Sequence, residues 1–198
     1  MYLKEEVINT ITIEKSRFIC YVKHLKTEQE FKDYLNMIKK EHYDADHACS
    51  AFISNNIKRS NDDGEPSGTA GAPILNVLEK NELNETAAVV VRYFGGIKLG
   101  AGGLIRAYSN AVSEALTKAE LVTDKIYPQY ELKLSYELAN KIKHYIENNT
   151  ILVETKYDTE ITFIFALDDT NKIDKIKEFT KGIEPIYTCD KIIQTKVK

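Results

Sequence analysis

The first sixty residues alternate between two hydrophobic periods. Glu6–Val22 carries two β-rich runs on either side of a polar turn at Glu14–Ser16, which predicts a hairpin. The period then lengthens. Phe31, Tyr34, Leu35 and Ile38 recur at i, i+3, i+4 and i+7 behind a Thr27/Glu30 capping box, so an amphipathic helix is expected there. Ala48–Ile53 reads as a short strand, and Asn55–Gly68 as a turn-rich connection without usable periodicity. A helix through Leu75 and Leu78 follows, with Ser67 and Thr69 expected to cap its start. Thr86–Phe94 is a continuous apolar run rich in β-branched valine, the pattern of a strand buried on both faces. Past the glycines between 95 and 103, Leu104, Tyr108, Ala111, Val112, Ala115 and Ala119 mark a long helix with one packed stripe.

From Asp124 the texture changes. Tyr130–Ser135 alternates, and Leu138, Ile142 and Tyr145 give a helix. Ile151–Tyr157 and Glu160–Leu167 are strand-like; Ile173, Ile176 and Phe179 give a second helix, which Gly182 should stop. The run from Pro185 closes as a strand. This order, βαββαβ, is the ferredoxin-like pattern. Eight of the nine glycines lie between Gly64 and Gly103, which marks the same division. The expected architecture is therefore α/β (α+β) in two domains, residues 1–123 and 124–198.

Charge and composition narrow the class. The net charge is −3 and the pI about 5.9, so no global positive field draws the chain to a polyanion, and any such site must be a local patch. No run approaches the roughly 20 apolar residues of a membrane span. The start, MYLKEEVINT, is charged where a secretory signal would be apolar. Cys20, Cys49 and Cys189 show no metal spacing and read as reduced, half-buried strand thiols, which places the protein in the cytoplasm.

Two segments concentrate the candidate chemistry. In Val89–Ala111 a strand runs through Gly95, Gly96, Gly100, Gly102 and Gly103 directly into a helix. Such a junction presents unpaired N–H groups at the positive end of a helix dipole, which suits an anion. Arg92, Lys98 and Arg106 stand around it, and Lys58 and Arg59 are candidates to extend the patch. Neither a phosphate-binding Gly-Lys-Ser/Thr loop nor a dinucleotide fingerprint is present. The second segment, Asn61–Ile74, holds Asp62, Asp63 and Glu65. These acids suit either a divalent cation or, more simply, a turn stabilised by side-chain-to-backbone bonds. Glu65 is also a candidate acceptor for Arg92 or Arg106. His47 and Cys49 point to one side of an extended chain, without an accompanying oxyanion-hole motif. His24, His42 and His144 read as surface residues. No metal site and no cofactor is expected.

Asp62–Leu75 (DDGEPSGTAGAPIL) and Val89–Tyr108 (VVVRYFGGIKLGAGGLIRAY), with His47–Phe52 (HACSAF), resemble the YigZ/IMPACT family. The resemblance implies an N-terminal domain similar to ribosomal protein S5 domain 2 and to domain IV of elongation factor G. It implies a ferredoxin-like second domain similar to domain V of that factor, and a role around translation. On this resemblance the additional N-terminal partner-binding domain of the eukaryotic members is not expected.

The expected function is accordingly a non-enzymatic, translation-associated regulator that binds RNA or the ribosome through the glycine loop. Arg92, Lys98, Arg106 and the loop glycines would contact the anion, and His47, Asp62, Asp63, Glu65, Ser67 and Thr69 would form the neighbouring motif loop. A second reading of the same fold is a small-molecule phosphotransferase, with a carboxylate among Asp62, Asp63 and Glu65 holding the metal.

Overall fold

The computed structural model describes residues 1–197, which form two compact units. One is made of residues 1–123 with Lys196 and Val197, the other of residues 124–195. In the first unit, β2 (Val7–Ile13), β3 (Ser16–His24), β4 (His47–Ser54), β5 (Ile57–Asn61) and β6 (Thr86–Tyr93) form an antiparallel sheet in the order β2-β3-β6-β4-β5. Helices α1 (Glu28–Glu41), α2 (Gly71–Lys80) and α3 (Gly100–Thr117) cover it, and β1 (Tyr2–Leu3) pairs with the start of β7 (Leu121–Leu134).

The side-chain period of two explains why the centre of β6, Ala87–Val91, is apolar at every position. Ala88 and Val90 lie with Phe18, Cys20, Cys49 and Ala51 in the core beneath α2 and α3. Val89 and Val91 turn to the opposite face and meet Tyr34 and Ile38 of α1. A strand buried on both faces has no polar phase. On the α1 side Phe31 stacks on Phe52 with centroids 5.1 Å apart, and the Thr27 capping box forms with both reciprocal bonds, a contribution of about 1 kcal/mol.

The β2–β3 hairpin turns on Glu14 and Lys15, both at positive φ (44° and 62°), between the paired residues Ile13 and Ser16. A two-residue turn of this hand matches the twist of the flanking strands.

Several local readings are corrected. The stretch 55–68 contains β5, which pairs with β4 from Ser54↔Ile57 to Ser50↔Asn61. Its five residues are all exposed, so no alternation marks it, and only the free edge of β4 recruits it into the sheet. Helix α3 ends at Thr117, short of Ala119. Cys20 and Cys49 are fully buried and Cys189 is exposed, rather than all being half-buried. His42 is no free surface residue, because its ring lies between the Tyr21 and Tyr93 hydroxyls at 2.6 and 2.8 Å. His24 pairs with Glu85 and stacks on Tyr2.

The second unit has β7, α4 (Tyr136–Asn149), β8 (Ile151–Tyr157), β9 (Ile161–Ala166), α5 (Lys172–Phe179) and β10 (Ile186–Lys196). The spatial order β10-β7-β9-β8 is that of a ferredoxin-like βαββαβ sheet. Leu132 and Leu134 of β7, Phe163 and Phe165 of β9, Ile142 and Ile146 of α4 and Ile176 of α5 form its core. Lys181 (φ 58°) takes the left-handed position after α5 and Gly182 (φ 92°) follows it, so the stop spans two residues. The division between the units falls inside the continuous strand β7, not in a loop. Among the described residues no helix is long and apolar enough to cross a membrane.

Candidate functional site

The two motif segments meet at one end of the first unit. The three acids, adjacent in sequence, diverge to three separate tasks. The Asp62 carboxylate accepts hydrogen bonds from the backbone N–H groups of Gly68 (2.8 Å), Ala70 (3.0 Å) and Gly71 (2.8 Å). It therefore caps α2 from outside the helix, whose N-cap residue Ala70 has no side-chain cap. The expected caps, Ser67 and Thr69, do not serve: Thr69 instead donates to the Pro66 carbonyl. Partial burial would raise the Asp62 pKa, but the three N–H donors outweigh it and hold the carboxyl below its usual range. Asp63 accepts from Lys39 (2.6 Å) and from the Ala48 N–H (2.7 Å), tying α1 to β4. Here too burial raises the pKa and the donors prevail, Lys39 foremost.

Glu65 turns inward. It is 8% exposed and pairs at 2.7 Å with Arg92, itself 5% exposed. The Tyr108 hydroxyl donates to the same carboxylate oxygen at 2.7 Å, and burial, with this neighbouring charge and Cys49, drives the Tyr108 pKa upward. Cys49 donates to the Asp62 carbonyl, and desolvation pushes its pKa to about 12. It is consequently a thiol, not a thiolate nucleophile. The His47 Nδ1 faces the Asp63 carbonyl at 2.9 Å, and its Nε2 lies 3.9 Å from Glu65. No group of acids, histidines and cysteines with metal-holding geometry occurs among the described residues.

The glycine loop divides by function. Gly95 is a packing requirement: a Cβ there would lie 2.0 Å from the Lys15 carbonyl carbon, beneath the β2–β3 turn. Gly100 has φ +68° at the first position of α3, a conformation only glycine adopts without strain. Gly102 has open space around it, and a Cβ would meet only Arg106 Nη1 at 3.6 Å. Helix α3 starts without a side-chain cap and with no acid in its first turn, so its positive end is unneutralised.

The cations separate likewise. Arg92 is occupied by Glu65, with its guanidinium 5.4 Å from both the Phe18 and Phe94 rings. Lys58 and Arg59 pair with Glu79 and Glu28, which offsets their charge. Lys98 and Arg106 are exposed and form no ion pair with a described residue. They flank two cavities at the start of α3. One, of 450 Å³, is bounded by Glu14, Lys98, Arg106 and Asn110. The other, of 390 Å³, is bounded by His47, Glu65, Arg92, Phe94 and Lys98. Sequence reasoning named the charged residues and missed Phe94, because an aromatic at a strand end gives no signal of the cavity beside it.

These features define a two-unit α/β protein with an uncapped, cation-flanked helix start above a buried Glu–Arg pair. Residues 14–116 match the family model described as the Impact N-terminal domain. The chain is 47% identical over 187 residues to the IMPACT family member YvyE of Bacillus subtilis, covering 91% of this chain and 86% of that protein. It is 34% identical over 181 residues to the IMPACT family member YigZ of Escherichia coli, covering 86% and 88%. A crystal structure described only as that of a hypothetical protein is 28% identical, covers 100% of this chain and 96% of that one, and superposes with a TM-score of 0.59. The chain belongs to the IMPACT family.

Proposed function

We propose that the protein is a non-enzymatic, translation-associated regulator that binds structured RNA, on the ribosome or free, through the start of α3. The observation that carries this reading is the uncapped N-terminus of α3 flanked by Lys98 and Arg106, two exposed cations that form no ion pair with a described residue. Backbone N–H groups, helix dipole and free cations together form an anion cradle on a protein whose net charge is −3. The S5-like and elongation-factor-like units that the family resemblance implies, with the chain's membership of the IMPACT family, favour translation as the setting, in the cytoplasm. RNA of this kind is recognised largely through shape and phosphate contacts. The phosphotransferase reading needs a carboxylate for Mg²⁺, whereas Asp62, Asp63 and Glu65 are engaged by backbone, Lys39 and Arg92 respectively. No cofactor enters the proposal.

Sedimentation or filter binding of ribosomal subunits and structured RNA across a salt series tests it. Each phosphate contact contributes roughly 0.7–0.9 to the log–log salt slope. Lys98→Ala and Arg106→Ala should each lower the slope by about that amount and weaken all sequences alike. Salt-independent binding, or variants that titrate like the wild type, would remove the cradle from the contact surface.

A further inference from the structure

The 390 Å³ cavity beside the cradle has a wall chemistry that phosphate binding leaves unused. Its volume falls within the roughly 300–1,000 Å³ of small-ligand sites. Two acceptors stand on that wall. A backbone carbonyl can only accept, so the His47 Nδ1 facing Asp63 carries the proton, and in the neutral ring Nε2 keeps its lone pair. Glu65 Oε1 takes the bonds from Arg92 and Tyr108, whereas Oε2 accepts none from a described residue. Nε2 and Oε2 lie 3.9 Å apart, and a single amino group with two N–H donors can reach both. Arg92, also on the wall, has a buried Nε–H without an acceptor among the described residues. Phe94 borders the same cavity; it is 45% exposed and its ring packs against the Arg92 guanidinium. Lys98 borders both this cavity and its neighbour, and Gly100 at the start of α3 lines it as well.

We infer that this cavity holds one unstacked nucleotide whose base carries an exocyclic amino group: adenine, cytosine or guanine in preference to uracil. The base lies against Phe94, its amino group bridges His47 Nε2 and Glu65 Oε2, and its phosphate lies toward Lys98 and the first turn of α3. Bases splayed from RNA loops and ends are commonly stacked on aromatic side chains in this manner. The inference rests on the RNA-binding reading for the strand that delivers the nucleotide, but the cavity chemistry would be the same for a free nucleotide.

Fluorescence anisotropy with labelled oligoadenylate, oligocytidylate and oligouridylate, and competition by free AMP, separates the cases. Oligoadenylate and oligocytidylate should bind more tightly than oligouridylate. Phe94→Ala, at an exposed position that should not disturb folding, should weaken binding by roughly 5- to 140-fold, the range of one lost base–aromatic stack. Phe94→Tyr should restore it, and His47→Ala should erase the preference over oligouridylate. Phe94-dependent binding of AMP without oligonucleotide binding supports the cavity as a free-nucleotide site and overturns the RNA reading. Salt-sensitive binding that ignores both base identity and Phe94→Ala overturns the cavity and leaves the cradle standing. No binding of any probe overturns both.

Discussion

The Arg92–Glu65 pair can be separated from the anion cradle by a double-mutant cycle. At 2.7 Å, with side chains 6% and 3% exposed, two unit charges attract by about 6 kcal/mol at an effective dielectric of about 20. The desolvation of each ion costs several kcal/mol, so the pair adds little net stability while the loss of either member is severe. Arg92→Met strands a buried carboxylate, and Glu65→Gln strands a buried guanidinium. Each should cost about 3–5 kcal/mol, a large share of the 5–15 kcal/mol typical of a domain. The double variant removes both charges, and the Gln carbonyl still accepts from Tyr108. It should cost clearly less than the sum, with a coupling energy of about 2–3 kcal/mol. Urea denaturation supplies the cycle, with hydrogen exchange of the β6 amides reporting on this unit alone. A functional readout accompanies it: because Glu65 already balances its charge, Arg92→Met should leave the salt slope of RNA binding unchanged. Additivity within about 0.5 kcal/mol, or a slope lowered as far as by Lys98→Ala, would refute the assignment of Arg92 as the partner of Glu65.

Asp62→Ala should destabilise the first unit by about 1–2 kcal/mol, the range for a lost helix cap, and Asp62→Asn by less, since its carbonyl oxygen can still serve Ala70 and Gly71. Both Asp62 and Asp63 have pKa values lowered on folding. Their contribution is therefore complete above the unfolded value of about 3.9 and is lost as pH falls through the folded values, visible as acid unfolding that Asp62→Ala blunts. Cysteine alkylation of the native protein at mildly alkaline pH should label Cys189 alone, because Cys49 is raised to about 12 and Cys20 is driven upward by complete burial. Labelling of Cys49 before unfolding would contradict its packing against Tyr108.

The sequence by itself determined every element whose burial follows a simple period. β6 was legible because both its faces are covered, so the run Ala87–Val91 at its centre is apolar at every position. α1 was legible from its stripe and capping box, and the βαββαβ order of the second unit followed from alternation and helical spacing. The charged residues and glycines around the candidate site, though not Phe94, were also visible, since runs of glycine beside a strand and helix, and clusters of acid, show in one dimension. What each of them does was decided only by the tertiary structure. β5 exists because the edge of β4 offers unpaired backbone groups, a property of the sheet and not of the exposed sequence IKRSN. Asp62 caps α2 across eight residues of loop, while nearer Ser67 and Thr69 do not. Arg92 and Lys98 look interchangeable as cations six positions apart. A strand places the first beneath the loop, where only a paired charge is tolerated, and the turn beyond it leaves the second in water, unpaired among the described residues. Periodicity records which side of an element is buried; which charges meet depends on contacts between segments distant in sequence, and these exist only once the chain has folded.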